Sequence, residues 1–442
     1  MSNYRSIKFD ILSMDVNQYK IRWLARVCLW TFLSYLIAST CYADPDFDHH
    51  RNILPGARAA GLGGAYTAIS DDPSGSYYNP AGLVFGKTNE ISISVNSRQE
   101  SILKFKDIDA LNGQDFVERS TVFFPSFVGA SYRFGSIQLG WSYLTLDAKN
   151  VDQSDRFNYL SNSSNVLNSY NRTHQESNSY FLGGVTGAVR LGKSASIGLS
   201  GYYYRRDIIA SNHQLVRLDN NSFLSADLKY TTENEGFLPI VGFMMRSGSL
   251  SFGASVRQPF DIANNTTRVS DSVVYNGAVD NVDPVISSST GTLEINDEVN
   301  PLSFQIGFAW IANENFLIST DVVQYQAKER KNISGNKFDF KSTQNYSLGV
   351  EFGGGHLYLR CGAFTNNSQL SPLKESEINQ PTHVDYIGYS GSIVIKTKDF
   401  NGDLTFIEQI GSGYAQKLSD DPDIQAVDGY MRTLQIGTRY NF

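Results

Sequence analysis

Asp71 and Asp72 interrupt a run of small, apolar and hydroxyl side chains that extends from Gly56 to Leu83. A carboxylate enclosed by protein must be paired or hydrated, so the chemistry open to this pair is charge pairing. The chain offers partners. Arg133, Arg190, Arg257, Arg360 and Arg439 each stand at a position whose parity opposes the apolar side of a strand-like run. Arg133, Arg190 and Arg439 also lie near the ends of their runs, where charge-assisted hydrogen bonds to Asp71 and Asp72, or to a ligand carboxylate, are within reach. The plainer reading is that a polar interior simply collects charged residues.

No catalytic constellation accompanies them. The six histidines, His49, His50, His174, His213, His356 and His383, are scattered, and the sequence contains no HExxH, GxSxG, Walker or paired-cysteine spacing. His49 and His50 are the one adjacent pair. Two imidazoles without further ligands belong more naturally to a solvated tail than to a metal centre. The sequence therefore predicts a protein that is not an enzyme and that needs neither cofactor nor metal.

The elements that must position these residues are of two kinds. Gly56 to Leu83 offers little bulk for a core of its own, so something must surround it. After it the apolar pattern changes to period two, as in Leu302, Phe304, Ile306, Phe308 and Trp310 against Ser303, Gln305, Gly307 and Ala309. Candidate strands fall at about 88–97, 125–134, 136–147, 178–191, 194–208, 236–246, 249–258, 300–311, 315–327, 343–352, 356–364, 385–397, 402–410 and 430–442. Short turn-forming connections such as Phe134-Gly135-Ser136 and Arg246-Ser247-Gly248-Ser249 alternate with long Asn/Ser/Asp-rich ones. That rhythm predicts an all-β fold, a transmembrane antiparallel barrel of fourteen strands with an N-terminal plug inside the lumen. Leu224 to Tyr230 also alternates, but counting it as a wall strand would break the parity, so it reads as a structured loop.

The small-residue run, with Gly61, Gly63 and Gly64, then Asp71-Asp72, then Tyr77-Tyr78-Asn79-Pro80-Ala81-Gly82, resembles the N-terminal hatch of the FadL/TodX family of outer-membrane hydrophobic-compound transporters. The resemblance covers about 30 residues. It implies a fourteen-stranded barrel, a hatch filling the lumen and passage of hydrophobic ligands.

Residues 1–43 read as a signal peptide. Lys20, Arg22 and Arg26 lead into an apolar run from Val27 to Ala38, and cleavage would fall between Ala43 and Asp44. Translation from Met14 would also fit, because the basic region is long. Removal takes away five basic and two acidic residues and moves the formal charge from -7 to -10, which excludes a polyanionic partner such as nucleic acid. It also leaves Cys361 alone, so no internal disulfide is expected. Residues 44–87 then form the plug and 88–442 the barrel.

The resulting expectation is a protein of the outer membrane of a Gram-negative-type bacterium, in contact with outer-membrane lipid, that takes up long-chain fatty acids or aromatic hydrocarbons passively. Two alternatives carry the same fold: a docking barrel in protein secretion, and a structural barrel without transport. Loop composition separates these readings only weakly: the connections are polar, whereas a dedicated lipid-capture groove would expose a patch of Leu, Phe and Ile, and Phe116-Val117, Phe123-Phe124-Pro125 and Phe223-Leu224 are the modest apolar candidates.

Leu434, Ile436, Thr438, Tyr440 and Phe442 share one face of the last strand, and a terminal Phe there resembles the sorting signal read by the barrel insertion machinery. Phe442→Ala is expected to lower the amount of heat-modifiable barrel in outer-membrane fractions several-fold. The same variant, once purified, should melt as the parent does.

Overall fold

The computed structural model describes residues 49–442 apart from 88, 109–112, 163–164, 219–221, 276–283, 295–300, 332–336, 376, 378–379 and 417–423. The expected targeting segment, with Ala43 and Asp44, lies outside the described residues.

Eighteen strands are described: β1 (Asn89–Ile108), β2 (Gln114–Phe134), β3 (Ile137–Asn162), β4 (Asn165–Leu191), β5 (Ala195–Leu218), β6 (Phe223–Ser247), β7 (Leu250–Arg257), β8 (Phe260–Tyr275), β9 (Val285–Glu294), β10 (Ser303–Asn313), β11 (Phe316–Tyr325), β12 (Lys328–Lys331), β13 (Lys337–Phe340), β14 (Thr343–Gly354), β15 (Leu357–Asn366), β16 (His383–Lys396), β17 (Phe400–Ala415) and β18 (Gln425–Asn441). Fourteen of them form a closed antiparallel barrel, sealed where β1 pairs β18 from Glu90↔Asn441 to Phe105↔Val427. β8 and β9 extend the sheet beside the outer part of β6, and β12 with β13 makes a separate hairpin.

Period two explains the wall. Ile306, Phe308 and Trp310 are exposed on the outside, while Gln305 and Ser303 are buried inside. At the tight turns Gly135, Gly192, Gly248 and Gly355 have φ of 60, 70, 59 and 62°, a backbone region that side chains avoid.

Two expectations need correction. Leu224 to Tyr230 is not a loop. It continues β6, pairing without interruption with β5 through Val216↔Leu224 to Ala210↔Tyr230, and because strand and extension are one element the count stays at fourteen. Likewise, much of the expected long loops is strand: β3 to β6 run for 26, 27, 24 and 25 residues, because cross-strand pairing persists beyond the apolar belt.

The β2–β3 ladder is the exception. It runs only from Phe134↔Ile137 to Phe127↔Leu144, although both strands continue outward. Pro125 has no N–H to donate. Side chains bridge the parted section instead: Thr145 Oγ1 donates to the Pro125 carbonyl at 2.8 Å, and the Asn150 N–H donates to Ser120 Oγ at 2.8 Å.

The N-terminal segment has little regular structure of its own: helical turns at Ala57–Gly61 and Gly75–Tyr78, and a 3-10 turn at Pro80–Phe85. Asn79 caps that last turn by accepting from the Ala81 N–H, and Pro80 occupies its first position. A buried irregular backbone must find partners, and the inner wall supplies them as serines. Ser196, Ser200, Ser251, Ser255, Ser319 and Ser390 donate to the carbonyls of Ala81, Ser76, Ala68, Tyr78, Ala65 and Gly61 at 2.6–3.1 Å. Inner-wall glycines let it approach so closely. A Cβ at Gly253 would lie 2.1 Å from the Thr67 carbonyl oxygen, and one at Gly362 would lie 2.2 Å from the Gly63 nitrogen.

Gly253→Val is therefore expected to loosen the segment at a cost of about 1–3 kcal/mol, the usual range for overpacking. Limited proteolysis should cut between residues 56 and 87 in this variant but not in Gly201→Val, where a Cβ meets open space. Equal resistance in both would contradict the close fit.

Candidate functional site

Two apolar clusters lie on the inner side of the barrel. The deeper one joins Tyr66, Tyr77 and Tyr78 of the segment to Phe127, Tyr180 and Leu238 of the wall, among others. The outer one gathers Phe105, Phe116, Phe157, Tyr170, Leu224 and Tyr386 with their neighbours from the strand extensions. The expectation that the outer connections hold only modest apolar candidates is thereby corrected. Phe116 and Leu224 belong to this cluster, whose members come from the outer ends of β1 to β6 and of β16 to β18. Phe123, in contrast, is 73% exposed.

Between the clusters, along the inner faces of β2 to β5, lies a polar layer. Arg206 Nη2 meets Asp147 Oδ2 at 2.8 Å, and Lys149 Nζ lies 2.9 Å from Glu118 and 3.1 Å from Glu176. Beneath Arg206 is a cavity of about 60 Å³ walled by Tyr77, Tyr180, Leu238, Tyr325, His50 and Arg257, with others. His49 and His50 are not a solvated tail. His50 stacks on Tyr325 at 4.3 Å and meets Gln369 Oε1 at 2.6 Å, while His49 Nε2 lies 2.7 Å from the Val384 carbonyl oxygen. Aromatic packing inside the barrel holds both.

The aspartates and arginines are arranged differently from the simplest expectation. Asp71 pairs with Arg58 at 2.6 Å and with Arg246 at 3.5 Å. Neither residue is one that parity singles out, although Arg58 is the one basic residue between Arg51 and Lys87 and could have been noticed as the local counter-charge. Burial alone would push the Asp71 carboxyl up, but Arg58, then Arg246 and Arg439, outweigh it and leave it below the usual carboxylate range. Asp72 accepts from Ser74 and lies 3.4 Å from Arg439, which also reaches Glu90 at 3.1 Å. Arg133 and Arg190 meet no aspartate of the segment. Both donate to the Val84 carbonyl, at 3.2 and 2.8 Å, because that end of the 3-10 turn leaves its oxygen facing them.

Arg257 donates to the Tyr77 carbonyl at 3.0 Å and lies over the Tyr77 ring at 4.3 Å. Arg360 bonds Glu351 at 2.6 Å and also Asp403, and Glu351 in turn pairs with Arg58 at 3.0 Å. A chain of charges thus runs from the wall into the segment. Asp321, invisible to motif reading, accepts on one oxygen from the N–H groups of Tyr66 and Thr67, from Thr67 Oγ1 and from Gln305, at 2.7–3.0 Å. Of the glycines, Gly63 and Gly64 hold φ of 62 and 76°, and Gly61 lies where a Cβ would meet Ser392 Oγ at 2.3 Å. Phe442 lies at the end of β18, 60% exposed, with its N–H donating to the Asn89 carbonyl.

No family model matches the sequence, and no curated protein matches it. Solved structures do. A Pseudomonas aeruginosa FadL homologue superposes with a TM-score of 0.58 at 10% identity, covering 88% of this chain and 98% of that one. This is the fold of the FadL-type barrels. The P. putida toluene transporter TodX matches with a TM-score of 0.57 at 12% identity over 88% and 98% of the two chains. The CymD monoaromatic hydrocarbon channel matches with 0.55 at 12% over 89% and 98%.

Removing Arg58 would leave Asp71 and Glu351 each short of a buried cation, an effect of about 3–5 kcal/mol. Arg58→Gln is expected to raise planar-bilayer conductance and to open the segment to protease. Arg133→Gln, which loses hydrogen bonds to a carbonyl and to Gln138, should change both far less. Equal effects would contradict the assignment of the main charge anchor to Arg58.

Proposed function

We propose that this chain is an outer-membrane channel for passive uptake of hydrophobic small molecules. The observation that carries the reading is the pair of enclosed apolar clusters, one at the outer mouth and one beside the N-terminal segment, inside a barrel whose outside is also apolar. A structural barrel has no need to line its interior with aromatic side chains. The solved barrels of the same fold described as a toluene transporter and a monoaromatic hydrocarbon channel support the same class of cargo. Burial of apolar ligand surface, at roughly 25 cal/mol per Å², supplies the driving force.

The geometry favours a particular route. The cavity of about 60 Å³ is smaller than the roughly 150 Å³ that holds a benzene ring, so a ligand entering it displaces the His49–His50 strap. The rest of the segment is bound to the wall by serines, arginines and Asp321, and moving it would break many of those bonds at once. The parted β2–β3 ladder opens at the level of Phe127 and Leu144, both in the deeper cluster. We infer that the cargo leaves sideways through that seam while the segment stays in place. Asp71, Asp72 and the arginines then keep the lumen shut to water and ions rather than releasing a plug.

Uptake of radiolabelled toluene and oleate into cells lacking other hydrophobic channels tests the reading. Saturable uptake of either one above the empty-vector rate is expected, and the preferred compound separates aromatic from long-chain cargo. Uptake of neither would sink it. The seam is tested separately with Glu118→Cys and Lys149→Cys in a Cys361→Ser background, bridged by a short bifunctional thiol reagent. Bridging should abolish uptake and reduction should restore it; unchanged uptake would overturn the sideways route alone.

A further inference from the structure

Glu118 of β2 and His174 and Glu176 of β4 meet on the inner side of the barrel within the polar layer. All three are buried, and one ligand atom from each lies within 4.8 Å of the others. The tautomer of the neutral imidazole follows from its neighbours. His174 Nδ1 lies 2.8 Å from Asn212 Oδ1, and the same oxygen accepts from Arg172 Nη2 at 3.1 Å. A guanidinium only donates, so that atom of Asn212 is the oxygen and Nδ1 carries the ring proton. In the neutral ring Nε2 is then bare, and it faces Glu176 Oε2 at 3.4 Å. Two lone-pair atoms in that relation take a positive charge between them, supplied either by a proton on Nε2 or by a metal ion. The Lys149 ammonium supplies one charge, spanning Glu118 and Glu176 at 2.9 and 3.1 Å.

We propose that Glu118, His174 Nε2 and Glu176 form a binding site for a divalent transition-metal ion of the Zn²⁺ class, with the Lys149 ammonium as the competitor that the metal displaces. One imidazole and two carboxylates suit Zn²⁺ or Co²⁺ better than Mg²⁺ or Ca²⁺, which prefer an all-oxygen shell. Metal-ligating histidines characteristically donate their second N–H to an oxygen, as His174 does to Asn212, and Arg172 fixes that oxygen in turn. Around an ion the ligand atoms, now within 4.8 Å of one another, would close to roughly 3.3 Å, the spacing that follows from bonds of about 2 Å in a tetrahedral shell. The position gives the ion a role. Glu118 stands on β2 and the other two ligands on β4, so a bound metal ties β2 to β4 across β3, where the β2–β3 ladder has parted.

The test uses the tag-free, full-length barrel in detergent, stripped with chelator and titrated with Co²⁺ as a spectroscopic probe. Visible ligand-field bands that one equivalent of Zn²⁺ removes are expected, and they should be absent in His174→Ala. Lys149→Met should bind Co²⁺ at least tenfold more tightly than the parent, because its competitor is gone. A structural ion pair alone predicts no such gain. If Lys149→Met does not fold, the parent spectrum and His174→Ala decide the matter. The proposal is overturned if the parent shows no Co²⁺ bands at millimolar metal, if the bands survive in His174→Ala, or if a folded Lys149→Met binds no more tightly.

Discussion

An irregular backbone inside a barrel has nowhere to hide its polar groups, and this constraint shapes the rest of the molecule. A helix or a strand satisfies its own N–H and C=O groups or those of its neighbours; the stretch from His49 to Phe85 mostly does not. The wall answers from its inner face with serine hydroxyls on carbonyls, with Asp321 on the Tyr66 and Thr67 N–H groups, and with Arg133 and Arg190 on Val84. The serine and aspartate side chains are short and reach only if the backbone comes close. The glycines of the inner face permit that approach, and bulk on either side would lengthen every one of these bonds. Small residues in the segment and small residues in the wall are therefore one adaptation.

Charge follows the same logic. Arg58 is shared between Asp71 of the segment and Glu351 of the wall, Arg360 continues the chain to Asp403, and Arg439 joins Asp72 to Glu90. Glu351, Arg360, Asp403, Asp72 and Glu90 are buried and Arg58, Asp71 and Arg439 half-buried, so an isolated one would be costly; linked, they offset one another. The network fixes the segment at the level where the first turns of the barrel begin.

Above that level the interior alternates between apolar and polar layers. Along β4 the inward positions pass from Leu182 and Tyr180 through Asn178, Glu176 and His174 to Tyr170. A hydrophobic cargo of the proposed kind would meet two favourable zones separated by a charged one, and the break in the β2–β3 ladder lies beside the deeper zone. On the proposed route, that break is where β2 and β3 would separate without losing backbone ladder bonds. Side-chain bridges such as Thr145 to Pro125 are all that must yield.

The sequence by itself determined the architecture, because period two and the rhythm of short and long connections are local properties written residue by residue. Fourteen strands and closure between the first and last follow from them, and so does the side of the strand on which an arginine stands. Pairing is another matter. Parity cannot say that Arg133 and Arg190 share the Val84 carbonyl while Arg58 and Arg246 hold Asp71, since those contacts depend on how far each strand is sheared around the barrel. Nor could spacing reveal Asp321, the outer apolar cluster, or Glu118 beside His174, whose members are brought together from distant strands. Leu224 to Tyr230 shows the same limit within one element: its alternation was legible, but only the continuous pairing with β5 made it part of the wall. Local pattern sets which face a residue occupies, and barrel closure alone decides what it meets there.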